Sequence, residues 1–200
     1  YAMNYLKRLI LSFIYNSIKI SKNKNSIKLL GTVSFLESII IPIPPDIFLI
    51  PIVLAKKKKW LYLGLLCTLF SVLGGIIGYI IGYFFWDVIG SSIVDFYNAH
   101  EQVEKLKIQF SKYGWFIILI AGLTPLPYKI FTLGSGLLSF NFLAFLICSF
   151  FSRGFRFIFL SYFTNKYGEK GISIVEKHFF KISSVFLILS LITFIYIIIK

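Results

Sequence analysis

The sequence predicts an all-α polytopic membrane protein. Its plan is an inverted repeat of two re-entrant helical hairpins, each followed by a transmembrane helix. An N-terminal amphipathic helix and a C-terminal transmembrane helix complete it. Three observations carry this reading. Of the 200 residues, 58% are hydrophobic, and the mean hydropathy of +0.83 exceeds what a soluble domain can hide. Two long apolar stretches are broken near their middles by clustered prolines. The segments around those breaks resemble each other.

Residues 1–28 open a single membrane domain covering 1–200. Across 3–20, Arg8, Ser12, Asn16 and Lys19 recur at helical spacing between apolar residues. That predicts a helix lying on or obliquely in the interface, with a short spanning helix as the alternative. No small-residue cleavage site follows, so a cleaved signal peptide is not expected.

The first repeat covers 29–86. Between Lys28 and Lys56 lie 27 apolar-rich residues broken at Pro42, Pro44 and Pro45. Each arm reaches roughly 20 Å as a helix, short of the roughly 30 Å hydrocarbon core. Neither arm spans, so the stretch should enter and leave by one face. Residues 60–85 are long enough to cross. Residues 87–112 hold Asp87, Asp95, Glu101 and Glu104 and read as an extramembrane, partly helical connection.

The second repeat covers 113–165. Its 28-residue apolar stretch, 113–140, is broken at Pro125 and Pro127, and 141–165 can cross again. Residues 166–200 form a lysine-rich loop and a last apolar helix, 182–199. With this parity Lys19, Lys22, Lys24, Lys28, Lys56–Lys59, Lys166, Lys170, Lys177 and Lys181 share one face. The positive-inside rule makes that face cytoplasmic. The net charge of +13 is therefore read as topology signal or anionic-lipid contact, with no nucleic-acid partner.

"PIPPDIF" at 42–48 and "PLPYKIF" at 125–131 agree at four of seven positions, offset by 83. "LCTLFS" at 66–71 and "ICSFFS" at 147–152 agree at three of six, offset by 81. Opposed hairpins of this kind place a substrate site at the midplane. The symmetry pairs Asp46 with Lys129. Two hairpin tips meeting would bring that acid and base together, either as a pair that opens during transport or as a static salt bridge.

Other residues complete the candidate site. Glu37 lies about 12 Å into the membrane at helical rise, where an ionisable group defaults to function. Arg153 and Arg156 are three apart, share a helix face, and suit a bidentate phosphate clamp, with snorkelling to the interface as the alternative. Gly74, Gly78 and Gly82 form a helix-packing stripe beside which the arginine-bearing helix could lie. Cys67 and Cys148 read as small hydrophobes. His100 and His178 lack metal-ligand spacing and lie away from the arginines, so neither metal, cofactor nor enzymatic chemistry is expected.

"FLESIIIPIPPDIFLIP", "GGIIGYIIGYFFW" and "LTPLPYKIFTLGSGLLSF" followed by "SRGFRF" resemble the DedA family of bacterial inner-membrane proteins, the SNARE-associated or VTT-domain superfamily. The likeness covers about residues 30–165 and favours the YqaA-like branch, which Pro45 and Lys129 suit. It implies two opposed re-entrant hairpins, lipid translocation or scrambling (undecaprenyl phosphate in some members), and dependence on the proton-motive force. It places the family's acids on Glu37 and Asp46 and its basic residues on Arg153 and Arg156. The expected function is a transporter or flippase moving an anionic phosphorylated isoprenoid or glycerolipid across the inner membrane. Membrane lipids such as a polyprenyl phosphate and protons are its expected partners, and a homo-oligomer is compatible with the sequence. The alternatives are a proton- or cation-coupled antiporter of small solutes or drugs, and a non-transporting membrane-homeostasis factor.

Overall fold

The computed structural model describes residues 25–39, 44–98, 100–123 and 128–168. The expected helices at 3–20 and 182–199, and Pro42, Pro125 and Pro127, lie outside them. Among the described residues every regular element is helical: α1 (Ser26–Ile39), α2 (Asp46–Ala55), a 3₁₀ turn (Lys57–Lys59), α3 (Trp60–Phe85), a π-helical turn (Trp86–Gly90), α4 (Ser91–Phe96), α5 (His100–Leu123) and α6 (Tyr128–Leu137), then α7 (Phe142–Gly168).

Among the described residues three segments are long and apolar enough to cross a membrane: Lys57–Phe85, His100–Leu123 and Phe142–Gly168. At 10 residues, α2 covers only about half of a hydrocarbon core. Pro45 sits immediately before α2, where its missing N–H costs nothing. Pro51 stands inside that helix and deprives it of a ladder bond. The arms α1 and α2 begin and end together, because Lys56 Nζ donates to Ser26 Oγ across 2.6 Å. Their core unites Leu30, Leu49, Ile52 and Val53 with Leu63, Cys67 and Phe157.

Helices α3 and α7 run antiparallel. Trp60 at the start of α3 meets Tyr162 edge-on with centroids 5.5 Å apart, and Tyr79 near its end meets Phe142 and Phe145 at 5.3 and 5.2 Å. The second pair of arms starts from the other end of the bundle. Lys107 of α5 lies 4.3 Å from the Trp86 ring centroid, and Phe110 packs on Phe140 at 5.4 Å. Gly122, one residue from the end of α5, presses on Ser152 of α7. Tyr128 then opens α6, which returns to a turn at Ser139 (φ 53°). Asn141 caps α7 by accepting the Ala144 amide hydrogen at 2.9 Å.

Two findings differ from the sequence reading. Helix α5 runs unbroken from His100 to Leu123, so the boundary expected at 112/113 is a change of hydropathy, not a helix end. Glu101, Gln102, Glu104, Lys105 and Lys107 are strong helix formers, and Lys105 bonds Glu101 one turn away at 2.6 Å. The glycine stripe of α3 also faces other partners than expected. A Cβ at Gly74 would lie 2.3 Å from Phe35 O of α1, and one at Gly78 or Gly82 would strike Thr132 or Leu133 of α6. The close seats are taken by α1 and α6. The arginine-bearing helix instead meets α3 at Gly64, where Phe157, Ile158 and Ser161 approach.

Candidate functional site: two ion pairs beside the helix break

Glu37 lies in the last turn of α1 and Asp46 is the first residue of α2, so the carboxylates flank the interruption between the arms. Arg153 and Arg156 stand one turn apart on α7, on the face turned towards that interruption. Arg153 Nη2 donates to Glu37 Oε2 at 2.5 Å, and Arg156 Nη2 donates to Asp46 Oδ2.

The environment of Arg153 is fully assembled. Its Nε donates to Ser71 Oγ of α3 at 2.8 Å. Ser38 Oγ stands 2.9 Å from Ser71 Oγ, 3.5 Å from Arg153 Nη2 and 3.3 Å from Glu37 Oε2, so two hydroxyls border the ion pair. Arg153 Cζ lies over the Tyr128 ring, 4.3 Å from its centroid, and over the Phe157 ring at 5.2 Å. The Arg153 side chain is only 2% exposed and Glu37 13%. A charge at that depth is tolerable when paired, hydrogen-bonded and stacked, and arginine offers the face for stacking as well as the edge for bonding. The Arg156–Asp46 pair is slightly more open, at 9% and 16% exposure. Asp46 Oδ1 is buried with no hydrogen-bond partner.

Short hydroxyl side chains make this possible. Ser34 Oγ donates to Cys67 O of α3 at 2.8 Å, and Ser38 Oγ donates back to Ser34 O at 3.2 Å. These small residues let α1 sit against α3 closely enough for Glu37 to reach α7. Two carboxylates and two guanidiniums leave the cluster formally neutral, and each guanidinium edge is engaged by an internal anion.

The structure brings Glu37, Asp46, Arg153 and Arg156 together, but the expected pairing of Asp46 with Lys129 is corrected. The ion pair that Asp46 makes is with Arg156. The physical reason lies at the head of α6, where Tyr128 faces Arg153. The next residue, Lys129, projects about 100° further round the helix. Three residues of the cluster, Ser38, Ser71 and Tyr128, escaped the sequence reading. Ser71 was visible as the repeat equivalent of Ser152, the residue preceding Arg153. Tyr128 carries no charge signal, and the lysine beside it does.

Residues 43–166 match the family described as VTT domain. The chain belongs to the VTT-domain (DedA, SNARE-associated) family. This VTT-domain chain is 35% identical over 158 residues to an uncharacterized protein of Haemophilus influenzae, covering 78% of this chain and 81% of that one. It is 36% identical over 138 residues to an uncharacterized protein of Histophilus somni, with 69% and 72% covered. No solved structure matches it. The family and the apolar helices make it a membrane protein.

Proposed function

We propose that the protein is a transporter or flippase of the bacterial inner membrane for an anionic phosphorylated lipid, an isoprenoid or a glycerolipid, coupled to protons. The observation that carries this reading is Arg153, enclosed by Glu37, Ser38, Ser71 and Tyr128 on three different helices. A bidentate guanidinium beside a helix break is the group to grip a phosphate. In this reading α1–α2 and the end of α5 with α6 are opposed re-entrant hairpins of an inverted repeat, reaching the arginine level from opposite faces. Pro45 and Lys129 support a place in the YqaA-like branch.

Carboxylate and phosphate compete for the same donors. While Glu37 and Asp46 are charged, they occupy the edges of Arg153 and Arg156. A proton added to either acid removes an internal anion and leaves a guanidinium edge for the headgroup. Loss of that proton restores the pair and expels the headgroup. Lower pH on the loading side therefore favours the loaded state. No residue in this scheme performs bond chemistry, and the protein is read as a carrier rather than an enzyme.

The test is reconstitution in vesicles carrying a fluorescent phosphatidic acid, with loss of outer-leaflet label followed under an imposed pH gradient. Gradient-dependent exchange that is lost in Arg153→Lys supports the reading. A pH-dependent ion flux without lipid exchange replaces it with the antiporter. Cysteines placed near Lys58 and near Asn98 test the topology and should label from opposite faces.

A further inference from the structure

The charged cluster leaves one polar feature without a use. Tyr128 and Ser149 are both fully buried, and neither Tyr128 Oη nor Ser149 Oγ has a hydrogen-bond partner. The two are neighbours that interact, but the contact between them falls short of hydrogen-bond geometry. Ser149 stands one helical turn before Arg153 on α7, and the Tyr128 ring lies against the Arg153 guanidinium at 4.3 Å. Room for the phenol is made by Gly75 of α3, where a Cβ would lie 3.1 Å from Tyr128 Oη and 3.2 Å from Cε1. A buried hydroxyl without a partner costs stability, and Phe or Ala would remove that cost at no loss of packing area.

We propose that Tyr128 Oη and Ser149 Oγ form a ligand-oxygen subsite of the Arg153 site. Resting on the phosphate-lipid reading above, they donate to a phosphate oxygen of the headgroup once Arg153 is released from Glu37. The geometry favours this division of labour. The edge of Arg153 faces α1 and α3, where Glu37 and Ser71 lie, while the two hydroxyls come from α6 and from α7 one turn before Arg153. A phosphate has oxygens pointing in several directions, so a fork alone leaves some unbound. Two neutral donors beside the guanidinium add to its coordination without adding charge to a membrane interior. Tyr128 also contributes the second hairpin's share of the site, so the substrate would be held by both hairpins together.

The competing explanation is structural: with a small shift the two hydroxyls bond each other and lock α6 to α7. The two explanations predict opposite signs. The experiment measures thermal unfolding of the full detergent-solubilised chain, titrated with short-chain phosphatidic acid, inorganic phosphate or short-chain phosphatidylcholine. Tyr128→Phe keeps the ring and its stack on Arg153, and Ser149→Ala deletes the other hydroxyl.

For a ligand-oxygen subsite, both variants melt at or above the wild-type temperature without ligand. Each also needs about tenfold more phosphatidic acid for the same stabilisation, the loss expected for one hydrogen bond to an anion. A lower unliganded melting temperature, or an unchanged titration, overturns the subsite in favour of the structural lock. Wild type unmoved by both phosphatidic acid and phosphate, yet melting normally, rejects the phosphate-lipid reading itself and the subsite with it. Inorganic phosphate acting as strongly as the lipid supports the subsite and makes free phosphate, not a lipid headgroup, its ligand.

Discussion

In the proposed reading two hairpins, α1–α2 and the end of α5 with α6, sit on the same helix, α3, and meet the charged centre differently. Both press backbone against a glycine contact. Gly74 of α3 accepts Phe35 O of the first hairpin, and Gly136 of the second accepts Tyr79 O of α3. Yet both acids of the cluster belong to the first hairpin and both arginines to α7, whereas the second hairpin offers Arg153 a ring. Moving the first hairpin away from α7 breaks two buried ion pairs. Moving the second breaks a stack and apolar contacts. The two helix pairs pack alike on α3, while the charges of the cluster are divided, acids to the first pair and arginines to α7.

The largest effect expected from that division is at Arg153. Arg153→Met leaves Glu37 buried and uncompensated, so it should cost about 3–5 kcal/mol of stability. The double change Glu37→Gln with Arg153→Met removes both charges and should recover most of that loss while transport stays abolished. Chemical unfolding in detergent and vesicle exchange check the two halves. Equal instability of single and double variants would mean that the pair is not what joins the first hairpin to α7.

Next comes the outer pair. Asp46→Asn and Arg156→Gln should each cost up to about 3 kcal/mol, towards the low end for a buried pair because these side chains are less enclosed than Arg153. Exchanging the residues, Asp46→Arg with Arg156→Asp, should recover at least half of either loss in the same unfolding measurement. A parallel exchange of Asp46 with Lys129 should recover nothing. Recovery there would restore the symmetric pairing of hairpin tips.

That contrast marks how much was legible in the sequence. The limits of the helix at 60–85 and the four charged residues that meet were readable because hydropathy and charge are local properties. The matched segments around Ser71 and Ser152 also hinted at which levels would meet. The pairing was not readable. The matched segments align Asp46 with Lys129, but aligned residues need not touch, and at the head of α6 it is Tyr128 that faces Arg153. The continuity of α5 was missed for a similar reason, since polarity changes at Tyr113 while helix propensity does not. Hydroxyls such as Ser38 and Ser71 carry no charge signal, and their role appears only when three helices are assembled.

Packing should prove as symmetric as charge is not. Gly74→Ala would set a methyl 2.3 Å from Phe35 O, and Gly136→Ala one 1.9 Å from Tyr79 O. In both cases the obstacle is backbone that cannot rotate away, so each should cost about 1–3 kcal/mol, the range for overpacking. The melting temperatures of the two variants should therefore fall by similar amounts. A loss confined to Gly74→Ala would show that the second hairpin is only loosely seated, and the comparison would then extend from charge to packing.

The smallest effect concerns the second hairpin alone and has the opposite sign. Gly134 lies within α6, two residues before Gly136, and a Cβ there meets nothing within 4 Å. Glycine in a helix interior carries an entropic cost of up to about 1 kcal/mol relative to alanine. Gly134→Ala should therefore raise stability by up to that amount, against the fall at its neighbour. If the transport cycle needs α6 to stay straight and move as a unit, exchange in vesicles is unchanged or faster. If it needs α6 to bend, the stiffer helix slows exchange while the protein melts higher. The second result would make Gly134 a hinge and would assign the moving part to the hairpin that carries no carboxylate, the one held at the centre by a ring.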